Sequence, residues 1–537
     1  MIDQLQEKES RPLQRLSAEE SKLGWLILGL LLLGLFLNLG VHPLKHEEPR
    51  RALVALEMLF RANFIVPTEV GAYYYNKPPV YNWLIILSYQ LFGNYSEFAV
   101  RFFSVLSFLG MAGLVGWVAN RYVGRRFAFY SSLFFLTCVD LLFYFSLTGE
   151  IDFFYSLITL GSFLTVFHFY QKKAYWPLFL LTYLLAAIGT LTKGLPSIVF
   201  TGITLLVWFS YRRNFLKLFH PAHFVAIFLF LAIVGGYFWV YSWFNDPMGF
   251  LTRLYTESSS RTVVENGFSK FIKHLFSFPL TNMVNIMPAA LLLPFALRKD
   301  IYQKIKEQPL LIFVLLTLAA NIIVYLISPG SRARYVYMLY PLMVMVLVYT
   351  YLLEHKAWQE RAERLLHLLI RGLIIVVALV GPALPFVPII SEAVAYPWLL
   401  AVLCSTGSLA ILWLHLLRPG LRTLSLLLLL AWARIIFDLS VIPVRAYEGG
   451  GVQDKIDATE ILHIVGEAPL HVLANSMISR STIFYLERER LQVLDFEDEI
   501  LPGHYYMAYE EALKDLDYQK LYSFEYNNNS VLLVKFE

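Results

Sequence analysis

The sequence predicts an α-helical polytopic membrane protein with a small α/β domain at its C-terminal end. Three observations carry this. The 537 residues are 58% hydrophobic and only 16% charged, against about 25% charged in an ordinary soluble protein, and the mean hydropathy is +0.57. Apolar runs of spanning length recur as far as residue 442. From about residue 443 the runs stop and the chain becomes charged and rich in tyrosine. A soluble enzyme, a disordered chain and a fibrous protein are excluded by the first observation alone, because so much apolar surface must face something other than water. The net charge of +4, with no dense basic run, argues against a nucleic-acid partner. Cys138 and Cys404 both lie inside apolar runs, so neither a disulfide framework nor a thiolate metal site is expected.

Taken in order, the first 22 residues are polar and of mixed charge. The run from Leu23 to Val41 is too long for a signal-peptide core, and His42, Pro43 and Lys45 follow it in place of a small-residue cleavage site; it reads as a retained first span. A span needs about 20 apolar residues. Thirteen candidates satisfy this: 23–41, 102–120, 127–147, 151–170, 174–192, 195–210, 222–244, 280–297, 309–327, 335–353, 368–388, 396–415 and 423–442. With the N-terminus in the cytoplasm, the inner connections carry the basic clusters Arg121/Arg125/Arg126, Lys172/Lys173, Arg212/Arg213/Lys217, Arg298/Lys299/Lys304/Lys306, Lys356/Arg361/Arg364/Arg371 and Arg418/Arg422, as the positive-inside rule requires. The expected organisation is a membrane domain over 1–442, with outer loops 42–101 and 245–279, and an extracytoplasmic domain over 443–537. In the latter, 470–474 and 530–536 read as strands, and 454–465 and 509–516 as helices.

Groups that act together must share one membrane face. The outer face collects Glu47, Glu48, Arg50 and Arg51; Tyr73, Tyr74, Tyr75, Asn76 and Lys77; Glu150 and Asp152; Lys193; the run from Glu257 to Arg261; and Arg332, Arg334 and Tyr335. Ionisable groups at the ends of spans are costly, and that makes them functional candidates. Each has a plainer reading. The 47–51 segment suits a solvated amphipathic helix, Asp152 suits a charge at a helix N-terminus, and Lys193 suits a snorkelling lysine. Asp140, inside the third span, suits a structural hydrogen bond. His42 and His46 stand four apart, as metal ligands on a helix can, but no second pair accompanies them.

The segments Glu47-Glu48-Pro49-Arg50, Ala55-Leu56-Glu57-Met58, Ile65-Val66-Pro67, Tyr75-Asn76-Lys77-Pro78-Pro79, Leu91-Phe92-Gly93 and Ala99-Val100-Arg101 occur in that order. They resemble the first outer loop of GT-C glycosyltransferases, in particular the bacterial dolichyl-phosphate-mannose–protein mannosyltransferase-like and 4-amino-4-deoxy-L-arabinose lipid A transferase families. Asp152 and Leu191-Thr192-Lys193-Gly194 match as well. The match is dense over 46–200 and diffuse beyond. Glu47 stands where those families usually have Asp, which lengthens the reach of the carboxylate.

The resemblance implies inverting transfer of a sugar from a polyprenyl-phosphate carrier to a lipid A-like lipid or a protein, at the periplasmic face of a bacterial inner membrane. Such a reaction needs the leaving phosphate stabilised by cations, for which Lys77, Lys193, Arg261 and Arg334 are the candidates. A hydroxyl acceptor needs a carboxylate base. Glu47 and Asp152 are the catalytic candidates, with Glu48 able to substitute for Glu47. A phosphate acceptor, already ionised, needs no strong base, and the carboxylate would then orient the acceptor or a metal. Arg50, Tyr74, Tyr75, Glu150 and Tyr337 are candidate substrate contacts. No cofactor is demanded, and a divalent metal ion is compatible with the carboxylates. Two other readings are a transporter or flippase for a lipid-linked sugar and a non-catalytic membrane scaffold. The first should show internal repeats and midplane polar sites, and neither is seen; the second leaves the outer-face charges without a purpose. The donor sugar, the acceptor, metal dependence and the oligomeric state are not legible.

Overall fold

A computed structural model describes residues 13–259, 267–353, 357–474, 476–514 and 516–536. Local chemistry sets many helix starts. Ser17 and Glu20 form a capping box at the head of Ala18–Phe36, and the Ser96 side chain caps Glu97–Tyr122. Proline stands in the first turn of the helices Pro196–Tyr211, Pro221–Tyr241, Pro309–Leu326 and Pro397–Leu417, where its missing N–H costs nothing.

Among the described residues, nine helices are long and apolar enough to cross a membrane, or up to eleven if each of two bent pairs is one span. That is fewer than the thirteen expected: the 23–41 candidate is the helix Ala18–Phe36 followed by a turn and is not among them, and two other candidates are not straight. The 127–147 candidate is bent by 50° between Leu136 and Val139, and the 280–297 candidate is folded by 101° between Phe268–Asn285 and Ala289–Ala296. Pro288 lies in the break of the second pair and has no N–H to continue the ladder; a hydropathy window averages over such a break and reports one span. The 195–210 candidate is the sixteen-residue helix Pro196–Tyr211, short for a bilayer.

The first long loop is a built structure. It contains the helix Glu48–Phe60, a two-residue hairpin of β1 (Thr68–Glu69) and β2 (Ala72–Tyr73), and the helix Val80–Phe92. Glu57 clamps the hairpin, accepting hydrogen bonds from Thr68 Oγ1 at 2.6 Å and from the Val70 and Gly71 amides at 2.5 and 3.1 Å.

At the C-terminal end, the helix Arg422–Glu448 carries the chain to the helix Val452–Val465 and a five-stranded sheet. Its strands are β3 (Leu470–Leu473), β4 (Phe496–Glu497), β5 (Tyr505–Tyr509), β6 (Gln519–Tyr526) and β7 (Asn529–Lys535), in the order β4-β3-β5-β7-β6. β3 pairs in parallel with β4 and β5; the β5–β7 and β6–β7 pairs are antiparallel. The helix expected over 509–516 is instead the end of β5 and a 3-10 turn, Glu510–Leu513. The helix Arg480–Arg490 packs against Glu48–Phe60. One apolar core runs through both regions, joining Leu53, Leu56 and Ile85 of the loop to Ile461, Phe484 and Leu533. Side chains of that size contribute about 1.5–3 kcal/mol each when fully buried, so the loop and the sheet domain hold each other in place.

Candidate active site

Glu47 precedes the helix Glu48–Phe60 and Glu48 opens it. Successive helical residues point about 100° apart, and the two carboxylates diverge accordingly. Glu47 pairs with Arg50 at 2.5 Å and faces a cavity. Glu48 is fully buried behind it. Arg101 Nε donates to Glu48 at 2.8 Å, and the amides of Gly149 and Lys45 donate at 2.6 and 3.1 Å. Burial alone would raise the Glu48 pKa; the Arg101 guanidinium, His42 and the Gly149 amide together outweigh it and hold the carboxyl below its ordinary range. A Cβ on Gly149 would come within 2.6 Å of Val100 Cγ1 and 3.0 Å of its carbonyl oxygen, so that amide reaches Glu48 only because the residue is glycine.

The helix Ile151–Gln171 brings Glu150, just before its first residue, and Asp152, in its first turn, where the helix dipole favours negative charge. Lys193 is the last residue of Tyr175–Lys193, where the dipole favours a cation. Gly194 turns the chain there with φ +95°, a conformation costly for any residue with a side chain. Lys193 Nζ ion-pairs with Asp152 and lies 5.0 and 4.8 Å from the ring centres of Tyr155 and Tyr335. Arg334 Nη1 is 3.1 Å from Glu150, and its Nε is 4.0 Å from Asp152. Burial, then the Asp152 charge, push the Glu150 carboxyl well above its ordinary range, against the pull of Arg334 and Arg51.

These side chains enclose a cavity of about 430 Å³ on the face that carries the sheet domain. Three carboxylates, Glu47, Glu150 and Asp152, share its wall with Arg50, Arg51, Lys77, Lys193, Arg253, Arg332 and Arg334. The excess of cations suits a phosphate, whose oxygens form strong charge-assisted hydrogen bonds with Lys and Arg. Leu195, Pro196 and Tyr325 supply an apolar flank. An adjoining annex of about 410 Å³ shares Glu47, Glu150, Arg332 and Arg334 and adds His46, Asp140 and Tyr337; Tyr337 donates to Asp140. Among the described residues, no group of three or more His, Cys, Asp or Glu side chains is placed to hold a metal ion.

Of the residues expected from the sequence, Glu47, Arg50, Lys77, Glu150, Asp152, Lys193 and Arg334 meet in the cavity, and Tyr337 lines the annex. Glu48 does not reach either, because the helix turns it towards Arg101. Tyr74 is buried and accepts a hydrogen bond from Arg51 at 2.6 Å, so it sits behind a wall residue. Tyr75 packs on Phe250 and accepts from Asn245 at 2.9 Å, which ties the first loop to the helix Met248–Ser259 carrying Arg253. Arg261 lies outside the described residues. Arg253 was missed, although a lone arginine in an otherwise apolar stretch of the second outer loop was a usable signal. Arg332 was collected with the outer-face charges but not chosen over Arg334.

Residues 76–239 match the dolichyl-phosphate-mannose-protein mannosyltransferase family. The chain is 26% identical over 350 residues to an undecaprenyl phosphate-alpha-4-amino-4-deoxy-L-arabinose arabinosyl transferase of Aeromonas salmonicida, covering 63% of this chain and 62% of that protein. It is 31% identical over 198 residues to the enzyme of the same name from Erwinia tasmaniensis, covering 35% and 34%. The chain thus matches less than two thirds of the length of these relatives. The crystal structure of ArnT from Cupriavidus metallidurans bound to undecaprenyl phosphate superposes with a TM-score of 0.70 at 18% identity, covering 95% of this chain and 98% of that one. The fold is therefore the GT-C membrane fold with its small C-terminal sheet domain, as the sequence resemblance implied.

Proposed function

We propose that this chain, a polytopic membrane protein of the GT-C fold, is a glycosyltransferase. On this reading it moves a sugar from a polyprenyl-phosphate carrier to a lipid acceptor at the outer face of a bacterial inner membrane. One observation carries the reading: carboxylates and cations from six separate chain segments converge in one cavity with an apolar flank. The named relatives, whose donor is an undecaprenyl-phosphate-linked amino-arabinose, support the same class of donor. Three carboxylates in one wall also suit a sugar that bears an ammonium group. The basic inner connections support a cytoplasmic N-terminus, with the sheet domain over 443–537 outside and the chemistry assigned to 1–442.

In the proposed reaction the acceptor oxygen attacks the anomeric carbon as the bond to the carrier phosphate breaks, in one inverting displacement. Lys77, Lys193, Arg253 and Arg334 stabilise the charge gathering on the leaving phosphate, in a cavity where it is only partly hydrated. Glu47 orients the acceptor, and when the acceptor is a hydroxyl it takes the proton. Its ion pair with Arg50 fixes where the carboxylate points, which suits either role. Asp152 holds Lys193 in place. Purified protein given undecaprenyl-phosphate sugars and lipid A, with products read by mass spectrometry, tests this. Release of undecaprenyl phosphate matched by a sugar-mass gain on the acceptor is expected; donor consumption by water alone would refute a lipid acceptor.

A further inference from the structure

Among the described residues of the sheet domain, none lines the central cavity. The domain reaches a wall residue through intermediaries instead. Glu47, which faces the cavity, pairs with Arg50 Nη1 at 2.5 Å. Arg50 Nε is 3.3 Å from Glu69 Oε1. Glu69 in turn ion-pairs with Arg480 Nε, and Arg480 is the first residue of the helix Arg480–Arg490. Four charges of alternating sign thus run from the cavity, through the β1–β2 hairpin, to the sheet domain.

Arg50 is suited to pass a position along. A guanidinium is planar and carries its N–H groups in a fixed fork, so holding Nε against one carboxylate fixes where Nη1 meets the other. The side chains behind Glu47 are shielded: Arg50 and Glu69 are each 17% exposed and Arg480 26%. An isolated surface ion pair contributes little, whereas a network of several charges holds its members in place. Burial works against the Arg480 charge, but Glu69, Tyr526 and Glu47 outweigh it and raise its pKa, so the Glu47 charge is felt at the far end of the chain. Neither Glu69 nor Arg480 lines the central cavity or the annex, which leaves them to act through Arg50.

The hairpin that carries Glu69 is itself held from two sides. Val70 has φ +54° and Gly71 φ +72°. A β-branched residue in that region is an outlier and persists only where its surroundings impose it. The buried Glu57 does so through the amides of both residues. From the other side comes Asp495 of the sheet domain, itself paired with Arg61; a Cβ on Gly71 would lie 1.9 Å from its Oδ1. Glu69, one residue before this turn, is left with its carboxylate between Arg50 and Arg480.

We propose that Arg480 is a positioning residue for the transfer: through Glu69 and Arg50 it holds the Glu47 carboxylate where the acceptor must meet it, so that the sheet domain completes a cavity it does not line. The inference rests on the reading of Glu47 as the group that orients the acceptor.

The test is steady-state transfer by the full chain in detergent, with undecaprenyl-phosphate sugars as donors and lipid A as acceptor, counted per folded molecule. Arg480→Met and Glu69→Gln are each expected to lower kcat by about 10- to 100-fold, the scale of a small misplacement of a reacting group. The donor KM should stay within about twofold of wild type, since the phosphate contacts are untouched. Glu69→Gln cuts the chain from the membrane side and keeps the inference testable if Arg480→Met folds poorly. In an Arg50→Gln background, where the chain is already cut, Arg480→Met should add less than about twofold, because residues acting through one another are not additive. Asp495→Asn is the control for general loosening. It weakens the other contact between hairpin and sheet domain, and kcat should stay within about twofold of wild type. A wild-type kcat in both Arg480→Met and Glu69→Gln overturns the inference. So does a full further loss from Arg480→Met in the Arg50→Gln background, or an equal loss in Asp495→Asn, either of which marks a merely structural contact. A wild type that transfers no sugar refutes the transferase reading, and this inference with it.

Discussion

The cavity around Glu47 and the cluster around Glu48 use the same chemistry one residue apart and for opposite ends. Around Glu48, the Arg101 guanidinium and the amides of Lys45 and Gly149 occupy the carboxylate, and no water-accessible face remains. Arg101 also donates to the carbonyls of Leu39, His42 and Pro43, tying the end of the first long helix to the start of the loop. Around Glu47, the one ion pair among the described residues is with Arg50, and the side chain is 35% exposed. A charge whose bonds are all made internally is architecture; a charge with unused bonding capacity facing a cavity is available to a ligand. Sequence adjacency says nothing about which is which, and the 100° step of the helix decides it.

The largest effects should break the comparison into its two halves. Glu47→Gln and Asp152→Asn are each expected to reduce transfer by about 10²–10⁴-fold, the usual cost of losing a group that handles protons or orients reactants, with normal membrane insertion; thermal stability should stay normal in Glu47→Gln and fall in Asp152→Asn, which leaves Lys193 without its buried partner. Glu48→Gln is expected to do the reverse. Breaking one side of a buried ion pair costs about 3–5 kcal/mol, so the yield of folded protein and its unfolding temperature should fall. Any surviving Glu48→Gln protein should keep a turnover per folded molecule much nearer to wild type than Glu47→Gln does. Near-normal transfer by Glu47→Gln, with donor in excess, would move the site elsewhere. Glu47→Asp should retain partial activity, because the charge stays and only the reach shortens.

A smaller effect sharpens the cavity half. Lys77→Ala and Lys193→Met remove cations from the cavity wall without touching the Glu48 cluster. Each is expected to weaken binding of undecaprenyl phosphate by about 1.5–3 kcal/mol, roughly 10- to 150-fold, as read by native mass spectrometry or calorimetry. Identical donor affinity in both variants would remove these lysines from the phosphate site. Lys193→Met should be the more damaging, since it also leaves Asp152 with Arg334 alone, at 4.0 Å.

Much of this was legible in the sequence, for identifiable reasons. The long apolar helices follow from composition, because the bilayer imposes a length rule on every segment that crosses it. The cavity residues were found because topology confines them to one face, and the ordered motifs of the first loop carried the resemblance. What stayed hidden depends on local geometry. Glu48 was indistinguishable from Glu47 without a helix phase, and Tyr74 and Tyr75 were indistinguishable from ligand contacts without knowing what packed on them. The fold at Asn285–Ala289 was masked by a hydropathy average. The helix Arg480–Arg490 was missed because its run of charges hides the face built from Ile483, Phe484 and Leu486.

The least intrusive test concerns a third kind of acidic site, one that among the described residues has neither an ion-pair partner of its own nor a cavity. Glu57 in the first loop and Glu487 on the helix Arg480–Arg490 are both fully buried, where their two helices pack together. Glu57 is engaged by the hairpin, and Glu487 accepts from the Leu494 amide at 2.9 Å. Arg61 is the cation nearby, and it ion-pairs with Asp495. Burial pushes the Glu57 carboxyl up to about 7, and burial together with the Glu57 charge raises Glu487 well above its ordinary range. The folded protein therefore holds these protons more tightly than the unfolded chain, whose carboxyls titrate near 4.5. Stability must then fall as pH rises from about 4.5 through about 7, because across that window the native state binds more protons than the unfolded one. The unfolding temperature of the detergent-solubilised protein, measured from pH 5 to pH 8, should show that decline. Glu487→Gln should flatten it and raise the unfolding temperature more at pH 8 than at pH 5. A Glu487→Gln protein with the wild-type slope would show that the pair is not what links the loop and the sheet domain to pH. Transfer chemistry should be little altered in the same variant, since Glu487 lines neither the central cavity nor the annex.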